Sequence, residues 1–515
     1  MVEINTPIMT TFIVYLVAMI GVGLYVYRRT RTLEDFALGG RDLNAPTAAL
    51  SAQASDMSGW LLLGLPGAVY AAGIGATWIA IGLAIGTYLN WLIVAPRLRA
   101  YTSRANNAVS LSAYLEERFE DRTRSLRAVS AIVIVVFFTI YVASGLVAGG
   151  ILFESTFGVP YATSVTIATI VIVSYAFLGG FLAVSLTDAV QGTLMFLALL
   201  LLPLVAILSI GGWGALTGEV TAASPGLWSL GSEAVFEDGT WSPGAPLSAI
   251  AVISLMAWGL GYFGQPHILA RFMGIRRVSD VPVARRIGTG WVLFTLGGAT
   301  LVGLTGIAAL DTPLDNPETV FLELIQQLLN PWVGGVLLAA VLAAIMSTAD
   351  SQLIVSSTAL TEDFYRAFLN KEASQTTLVW VGRATVVAVA LIAYLIALPG
   401  ETPVLDIVAF AWAGFGAAFG PVIILSLFWP RMTGAGAMAG VVAGAATVLV
   451  WEQVPALAGT GIYSMLPGWA AALISAFVAG KYFGKTPERD WSGDYAEETD
   501  DREAQERKDK AAGVA

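Results

Sequence analysis

A single carboxylate, Asp56, lies in the middle of a long apolar run of this chain. The stretch Leu50–Gly67 reads LSAQASDMSGWLLLGLPG, and Ser55 and Ser58 flank the acid. If the run crosses a membrane, a carboxylate near the bilayer centre costs about 3 kcal/mol on insertion scales. Glycines and Pro66 in the same stretch weaken the helix and release backbone carbonyls. Together these groups predict a site at which hard oxygens bind a small cation such as sodium.

A second stretch, Ala343–Gln352, has the same character and reads AAIMSTADSQ. Ser347 and Ser351 lie four residues apart and so share one face of a helix, with Thr348 and Asp350 beside them. Hydroxyl residues in membrane helices often bond to carbonyls of their own helix, so each alone is equally compatible with a structural role. Two carboxylates beside two hydroxyl clusters favour an ion site formed by both stretches.

Three further polar residues allow more than one interpretation. Asp188 stands at the start of a later apolar run, where capping of a helix at its cytoplasmic end explains it as well as a function does. His267, the only histidine, is better explained by packing than by proton relay. Arg271 is expected to mark the inner membrane interface.

Composition excludes several classes of protein. Of the 515 residues, 56% are hydrophobic and only 12% are charged, which is typical of a chain that crosses a membrane many times. The absence of cysteine excludes disulfides and thiolate metal sites, and a single histidine argues against a zinc site. No nucleophile–base or metal-ligand cluster is apparent, so an enzyme is not expected.

Apolar runs of membrane-spanning length occur thirteen times, at residues 8–27, 46–70, 76–96, 128–153, 162–180, 187–210, 247–272, 287–310, 332–360, 381–398, 404–428, 434–451 and 467–484. If the runs alternate across the bilayer, all 27 Lys and Arg residues lie on or beside one face. The positive-inside rule then places the N-terminus outside and the C-terminus inside. We therefore predict an all-α integral membrane protein with thirteen transmembrane helices.

The domain organisation follows from these runs. Residues 1–485 form one transmembrane domain in a multi-pass protein of the cell membrane, and the first run has no cleavage site after it. Residues 486–515 are rich in acidic and basic side chains and poor in large apolar ones. Such a segment cannot bury enough surface to fold alone, so it is predicted to be a disordered, acidic cytoplasmic tail.

Two of the predicted helices are interrupted in their middle. The second contains Asp56 and Pro66, and the seventh, Ala251–Phe272, contains three glycines before Pro266. The two are five helices apart, so the segments of about 46–210 and 247–428 would be repeats of opposite orientation. Paired broken helices in inverted repeats indicate a binding site near the bilayer midplane of a secondary transporter.

Aromatic residues beside the interruptions are candidates for contact with a solute. Tyr141, Trp258 and Tyr262 could enclose a small apolar solute or face its amine. Any one of them taken alone is better explained by packing in the core or against lipid.

Several long motifs resemble the sodium:solute symporter family. They are FALGGRDLNAP, SAQASDMSGWLLLGLPGAVY, FFTIYVASGLVAG, LFESTFG, GGFLAVSLTDAVQ, WGLGYFGQPHILARFMG, MSTADSQL and AWAGFGAAFGP. These motifs extend from the first predicted helix to the eleventh. The resemblance implies a LeuT-type core of two inverted five-helix repeats, with one helix before it and two after it.

The resemblance also implies roles for individual residues. Sodium would be coordinated by carbonyls of Ala54, Met57 and Ala344 and hydroxyls of Ser347 and Thr348, while Asp56 and Ser58 would support sodium coupling. The other implied residues line a proline pocket (Tyr141, Trp258, Tyr262 and Pro266), act near the inner gate (Arg41), or resemble a second sodium site of some family members (Asp188, Asp350 and Ser351). For this last set a structural role of Asp350 remains an alternative.

The function that the resemblance implies is sodium-coupled uptake of L-proline by alternating access. Sodium would be the co-transported ion, and the protein would lie in the lipid bilayer. A symporter of another small solute, such as another amino acid, pantothenate or a compatible solute, is the nearest alternative, as is coupling to protons. A membrane sensor that uses the same fold is a third possibility, although residues 486–515 are too few for a kinase domain.

Overall fold

The computed structural model describes residues 5–27, 38–178, 180–493, 495, 497, 499–501 and 504–505, and these residues are mostly helical. The long helices of the first half are α1 (Thr6–Tyr27), α2 (Ala45–Asp56), α3 (Leu65–Ala72), α4 (Trp78–Leu89), α5 (Ala95–Arg104), α6 (Leu111–Phe119), α7 (Ser125–Phe157), α8 (Tyr161–Leu178), α9 (Phe181–Ser209) and α10 (Trp213–Ala223). A two-stranded antiparallel sheet, β1 (Val235–Glu237) and β2 (Thr240–Ser242), follows in the loop after α10.

The second half contains α11 (Ala249–Met256), α12 (Pro266–Gly274), α13 (Val281–Ala309), α14 (Val320–Leu328), α15 (Pro331–Thr358), α16 (Gln375–Ala397), α17 (Val404–Phe428), α18 (Gly434–Gln453), α19 (Pro455–Ala458) and α20 (Met465–Tyr482). Helices of π type (Trp60–Gly64, Asn90–Val94, Ala359–Leu369) and 3-10 type (Gly39–Arg41, Gly73–Thr77, Pro225–Trp228, Ala257–Gly264, Val278–Asp280, Pro317–Thr319) connect them.

Helices coincide with each of the thirteen apolar runs. Within the described residues, eight helical segments are long and apolar enough to cross a membrane, and the bent pair Ala249–Gly264 and Pro266–Gly274 makes a ninth. Thr6–Val22 and Tyr161–Phe177 are shorter apolar helices. The chain is therefore a multi-pass membrane protein, while thirteen crossings and the orientation of the termini stay predictions.

Helix α15 lies at the centre of the molecule. Nearly every residue from Leu337 to Ile354 is buried, and the helix packs against α1, α2, α7, α9 and α16. A helix that is apolar all round is expected in such a position. Its central position explains how Ser347 and its neighbours reach several other helices.

Small residues allow α4 to approach the 3-10 segment Ala257–Gly264 closely. A Cβ on Gly86 would collide with the backbone of Gly259, and one on Gly82 would collide with Met256. Asn90, at the end of α4, donates from Nδ2 to the carbonyl of Tyr262 at 3.0 Å. These contacts hold the second helix interruption in place.

The segment after α20 packs against the end of the molecule that is predicted to be cytoplasmic. Backbone N–H groups of Glu488 and Arg489 donate to the Glu120 carboxylate at 3.1 and 3.0 Å. Trp491 is buried against Tyr101, whose hydroxyl donates to the Trp491 carbonyl at 2.8 Å. Residues 486–493 thus lie on the helical domain; most of the residues beyond 493 are outside the described part of the chain.

Candidate functional site

The first helix interruption begins at the carboxylate itself. Helix α2 ends at Asp56, and Met57 adopts φ −88° and ψ 82°, which is not helical. The chain then makes a turn in which the Ser58 N–H donates to the Asp56 carbonyl. The π-helical segment Trp60–Gly64 follows this turn. Carbonyls at the end of α2 are therefore free to bond outside their own helix.

Helix α15 supplies hydroxyls to this open end. Ser347 Oγ donates to the Ala54 carbonyl at 2.7 Å and lies 3.1 Å from the Ala344 carbonyl. Thr348 Oγ1 donates to the same Ala54 carbonyl at 3.3 Å. Four of the five residues predicted to coordinate sodium thus meet at one point. The fifth, Met57, forms the interruption beside them.

These oxygens are of the kind that sodium prefers. All belong to carbonyl or hydroxyl groups in a buried setting, and the Asp56 carboxylate follows two residues after Ala54. The described residues contain no group of three or more His, Cys, Asp or Glu side chains that could hold a metal ion. Hard neutral oxygens suit an alkali cation better than a transition metal.

The Asp56 side chain points to the predicted solute residues. Tyr262 Oη donates to Asp56 Oδ2 at 2.5 Å, and Tyr141 Oη donates to the Asp56 carbonyl at 3.3 Å. Trp60 Nε1 donates to the same carbonyl at 3.2 Å. Oδ1 of Asp56 is buried and has no hydrogen-bond partner in the part of the chain that the structure describes. Ser58 lies at the interruption, where its Oγ accepts from the Trp60 N–H at 3.4 Å.

The second interruption presents aromatic rings to the first. Ala257–Gly264 is a 3-10 segment, Gln265 is extended, and Pro266 begins α12 after a bend of 45°. The Trp258 ring lies 6.1 Å from the Trp60 ring and stacks on Tyr463 at 5.7 Å. Trp258, Tyr262 and Tyr141 are all buried.

A second polar cluster lies one helical turn further along α15. Arg271 Nη2 donates to Ser351 Oγ at 2.5 Å and to Asp188 Oδ2 at 3.1 Å, and its Nε donates to Ser51 Oγ at 3.0 Å. Ser51 Oγ in turn donates to Asp188 Oδ2 at 2.7 Å. Four helices, α2, α9, α12 and α15, meet in this buried ion pair. Both carboxylate oxygens of Asp350 are buried and make no hydrogen bond to any described residue.

These contacts revise two interpretations made from sequence. Asp188 lies in the second turn of α9, whose N-cap is Gly180, so Asp188 does not cap that helix. Arg271 is 1% exposed, so it lies in the protein interior and does not face lipid or water. His267 is buried beside the rings of Phe138 and Tyr141, as expected for packing.

Arg41 joins the ends of three segments on the predicted inner side. Its Nη2 donates to the Ala108 carbonyl at 2.7 Å, and its Nη1 donates to the Met273 carbonyl at 3.1 Å and to Thr102 Oγ1 at 3.3 Å. Arg41 itself is buried and has a positive φ of 54°. It therefore connects the end of α12 to the end of α5 and the loop after it.

Sequence reasoning missed several residues of the site. Trp412 donates from Nε1 to the Trp258 carbonyl at 2.8 Å, and Tyr463 stacks on Trp258. Both are aromatic residues in or beside apolar helices, a setting that carries no signal of a site. Ser51 was missed for a similar reason, because a single serine in a membrane helix usually packs structurally.

Comparisons with known proteins define the class. A profile of the sodium:solute symporter family matches residues 36–444. The chain belongs to this family. It is 50% identical to the sodium/proline symporter of Escherichia coli K12, with 94% of each chain covered. It is 49% identical to the high-affinity proline transporter PutP of Bacillus subtilis, with 89% of this chain and 94% of that protein covered.

Solved structures show the same fold. A substrate-bound, outward-open sodium-coupled sialic acid symporter superposes with a TM-score of 0.76 at 18% identity, covering 94% of this chain and all of that one. MhsT in complex with L-phenylalanine gives a TM-score of 0.50 at 15% identity, covering 84% of this chain and 97% of that one. The family and these relatives are transporters and not enzymes.

Proposed function

We propose that this protein imports L-proline together with sodium across the cell membrane by alternating access. The observation that carries the proposal is the meeting of Ser347 and Thr348 with the Ala54 carbonyl at the interruption beside Asp56. The relatives that share half of the residues over 94% of the chain are sodium/proline symporters. Sodium is the co-transported ion. Its concentration gradient drives it inward, and the transmembrane potential contributes about 2.3 kcal/mol per charge per 100 mV.

Sodium would be held by the carbonyls of Ala54, Met57 and Ala344 and the hydroxyls of Ser347 and Thr348. Binding there joins α2 to α15, because the ligands come from both helices. Asp56 contributes the nearby negative charge, and its bond to Tyr262 connects the ion ligands to the second interruption. An ion at this site would therefore favour one arrangement of the two broken helices.

Proline would lie between the two interruptions. Trp258, Tyr262 and Tyr141 supply aromatic faces for its ring and secondary ammonium, and Pro266 lies at the start of α12. The zwitterion's carboxylate would meet free backbone N–H groups at the helix breaks. Arg41, which ties α5 to α12, would open and close the inner side.

We propose that one sodium accompanies each proline. The cluster of Asp188 and Ser351 contains its own cation, the Arg271 guanidinium, in direct contact with both side chains. A second sodium would have to compete with that guanidinium. Nothing in the structure explains why position 350 is an aspartate.

The topology proposed for this function has thirteen crossings, with the N-terminus outside and the C-terminus inside. Two inverted LeuT-type repeats of about 46–210 and 247–428 form the core of a single domain of residues 1–485. Single cysteines can test the sides directly, because the natural chain has none. A cysteine in residues 429–433 that reacts with an impermeant maleimide from outside intact cells would refute the topology.

Uptake into proteoliposomes tests the function itself. Labelled proline should accumulate only when a sodium gradient is imposed, and a proton gradient alone should give none. A competition panel of other amino acids, pantothenate and compatible solutes separates proline from alternative solutes. Absence of any net transport would instead support a sensor.

A further inference from the structure

A narrow crevice continues from Pro266 toward the predicted cytoplasmic side. One wall is α12, which contributes Pro266, Ala270 and Met273 at the spacing of one helix face. The opposite wall comes from α15 and its π-helical extension, from α7 and from the start of α6, and its residues include Ser110, Leu111, Ile134, Val355, Ala359 and Asp363. Pro266 is a proposed solute contact, so the crevice adjoins the proposed proline pocket at this residue.

Asp363 lines this crevice and is fully buried. Its Oδ1 accepts from Arg127 Nε at 2.8 Å and from Ser110 Oγ at 2.9 Å. Its Oδ2 has no hydrogen-bond partner among the residues that the structure describes. A half-satisfied buried carboxylate is costly, so exposure to water would relieve it.

Arg127 connects this carboxylate to two more acids. Its Nη1 pairs with Glu116 at 2.9 Å and its Nη2 with Glu362 at 3.4 Å. Glu116 belongs to α6, Arg127 to α7, and Glu362 and Asp363 to the π-helical segment Ala359–Leu369. One guanidinium therefore holds three segments together beside the crevice.

Asp363 reaches the crevice from the π-helical extension of α15. The eleven residues Ala359–Leu369 continue α15 beyond Thr358 with a wider turn, which changes the faces that successive side chains occupy. Val355, Ala359 and Asp363 all line the crevice at steps of four residues. Extending that stripe backward leads to Ser351 and then Ser347, the proposed sodium ligand.

We infer that Asp363, held by Arg127 and Ser110, is a latch that closes the release path on its cytoplasmic side. The inference rests on the proposed function for the identity of what leaves through the crevice. Closure depends on charge-assisted bonds from Arg127 to Asp363, and opening hydrates both groups. Asp363 is thus a gating residue that acts on access and does not contact the solute in the closed state.

A cysteine introduced by Ala270→Cys reports the opening of the latch, because the natural chain has no cysteine and Ala270 lines the crevice. The measurement is the rate at which this cysteine reacts with a maleimide in inside-out vesicles, in the presence and in the absence of sodium. Arg127→Gln and Asp363→Asn should each raise the rate about tenfold, since losing a charge-assisted hydrogen bond shifts a closed–open equilibrium by this order. Arg366→Gln is the matched control, because Arg366 belongs to the same segment and, among the described residues, forms its ion pair with Glu362 and not with Asp363; it should leave the rate unchanged.

Equal rates in the parent and in both latch variants would overturn the inference. The nearly isosteric Asp363→Asn keeps the fold testable if Arg127→Gln lowers expression, and Asp363→Glu should return the rate toward that of the parent. The readout needs no proline. If the latch variants label faster than the parent but the parent itself fails to accumulate proline, the proposed function is refuted and the latch is kept.

Discussion

Two polar clusters on α15, one helical turn apart, use similar residues in opposite ways. At Ser347 and Thr348 the partners are carbonyl oxygens at the open end of α2. At Ser351 the partner is the Arg271 guanidinium, which also pairs with the Asp188 carboxylate, so this cluster contains both signs of charge. Hydroxyls and acids in a membrane helix therefore do not define an ion site by themselves. What matters is whether another helix contributes a cationic side chain, as α12 contributes Arg271 to the second cluster.

The largest expected effect comes from removing that internal cation. Arg271→Gln leaves Asp188 buried without its partner, which should destabilise the protein by about 3–5 kcal/mol. The measurement is the melting temperature of purified protein in detergent. In the double variant with Asp188→Asn much of the loss should be recovered, because no uncompensated charge remains. Strictly additive losses would show that the two side chains are not coupled.

Asp56→Asn should strongly weaken sodium binding at the cluster of Ser347 and Thr348. The half-saturating sodium concentration for proline uptake should rise about 10- to 100-fold, since a hydrogen bond to a buried charged group contributes about 1.5–3 kcal/mol. Tyr262→Phe removes the partner of that carboxylate and should produce part of the same effect. Unaltered sodium dependence in Asp56→Asn would remove this residue from the site.

Matched alanine substitutions compare the clusters directly. Thr348→Ala should raise the half-saturating sodium concentration about three- to tenfold, the effect of one neutral hydrogen-bonding group. Ser351→Ala, three residues away, should leave sodium dependence unchanged because its hydroxyl serves Arg271. If both variants, or only Ser351→Ala, lose sodium affinity, the second cluster binds an ion.

The smallest effect is expected at Asp350. Asp350→Asn should change half-saturating sodium less than about twofold and should raise the melting temperature, because an unpartnered buried carboxylate is costly. Counting charges moved per proline in the same proteoliposomes should give one. A count of two that falls to one in Asp350→Asn would establish a second sodium site.

Much of the site was predictable because its residues are unusual for a membrane helix. Asp56, Ser347 and Thr348 stand out from apolar surroundings, and polar groups there carry a large energetic cost. Trp412 and Tyr463 could not be found in the same way, since aromatic residues are common in apolar helices.

A helical membrane protein with two interrupted helices and an oxygen-rich pair of segments could be predicted from the amino-acid sequence. Hydropathy and the distribution of charge are local properties, so they can be read without coordinates. The pairing of Arg271 with Asp188 and the bond between Asp56 and Tyr262 became visible in the folded protein. Such pairings join residues 83 and 206 positions apart, and packing of separate helices selects them.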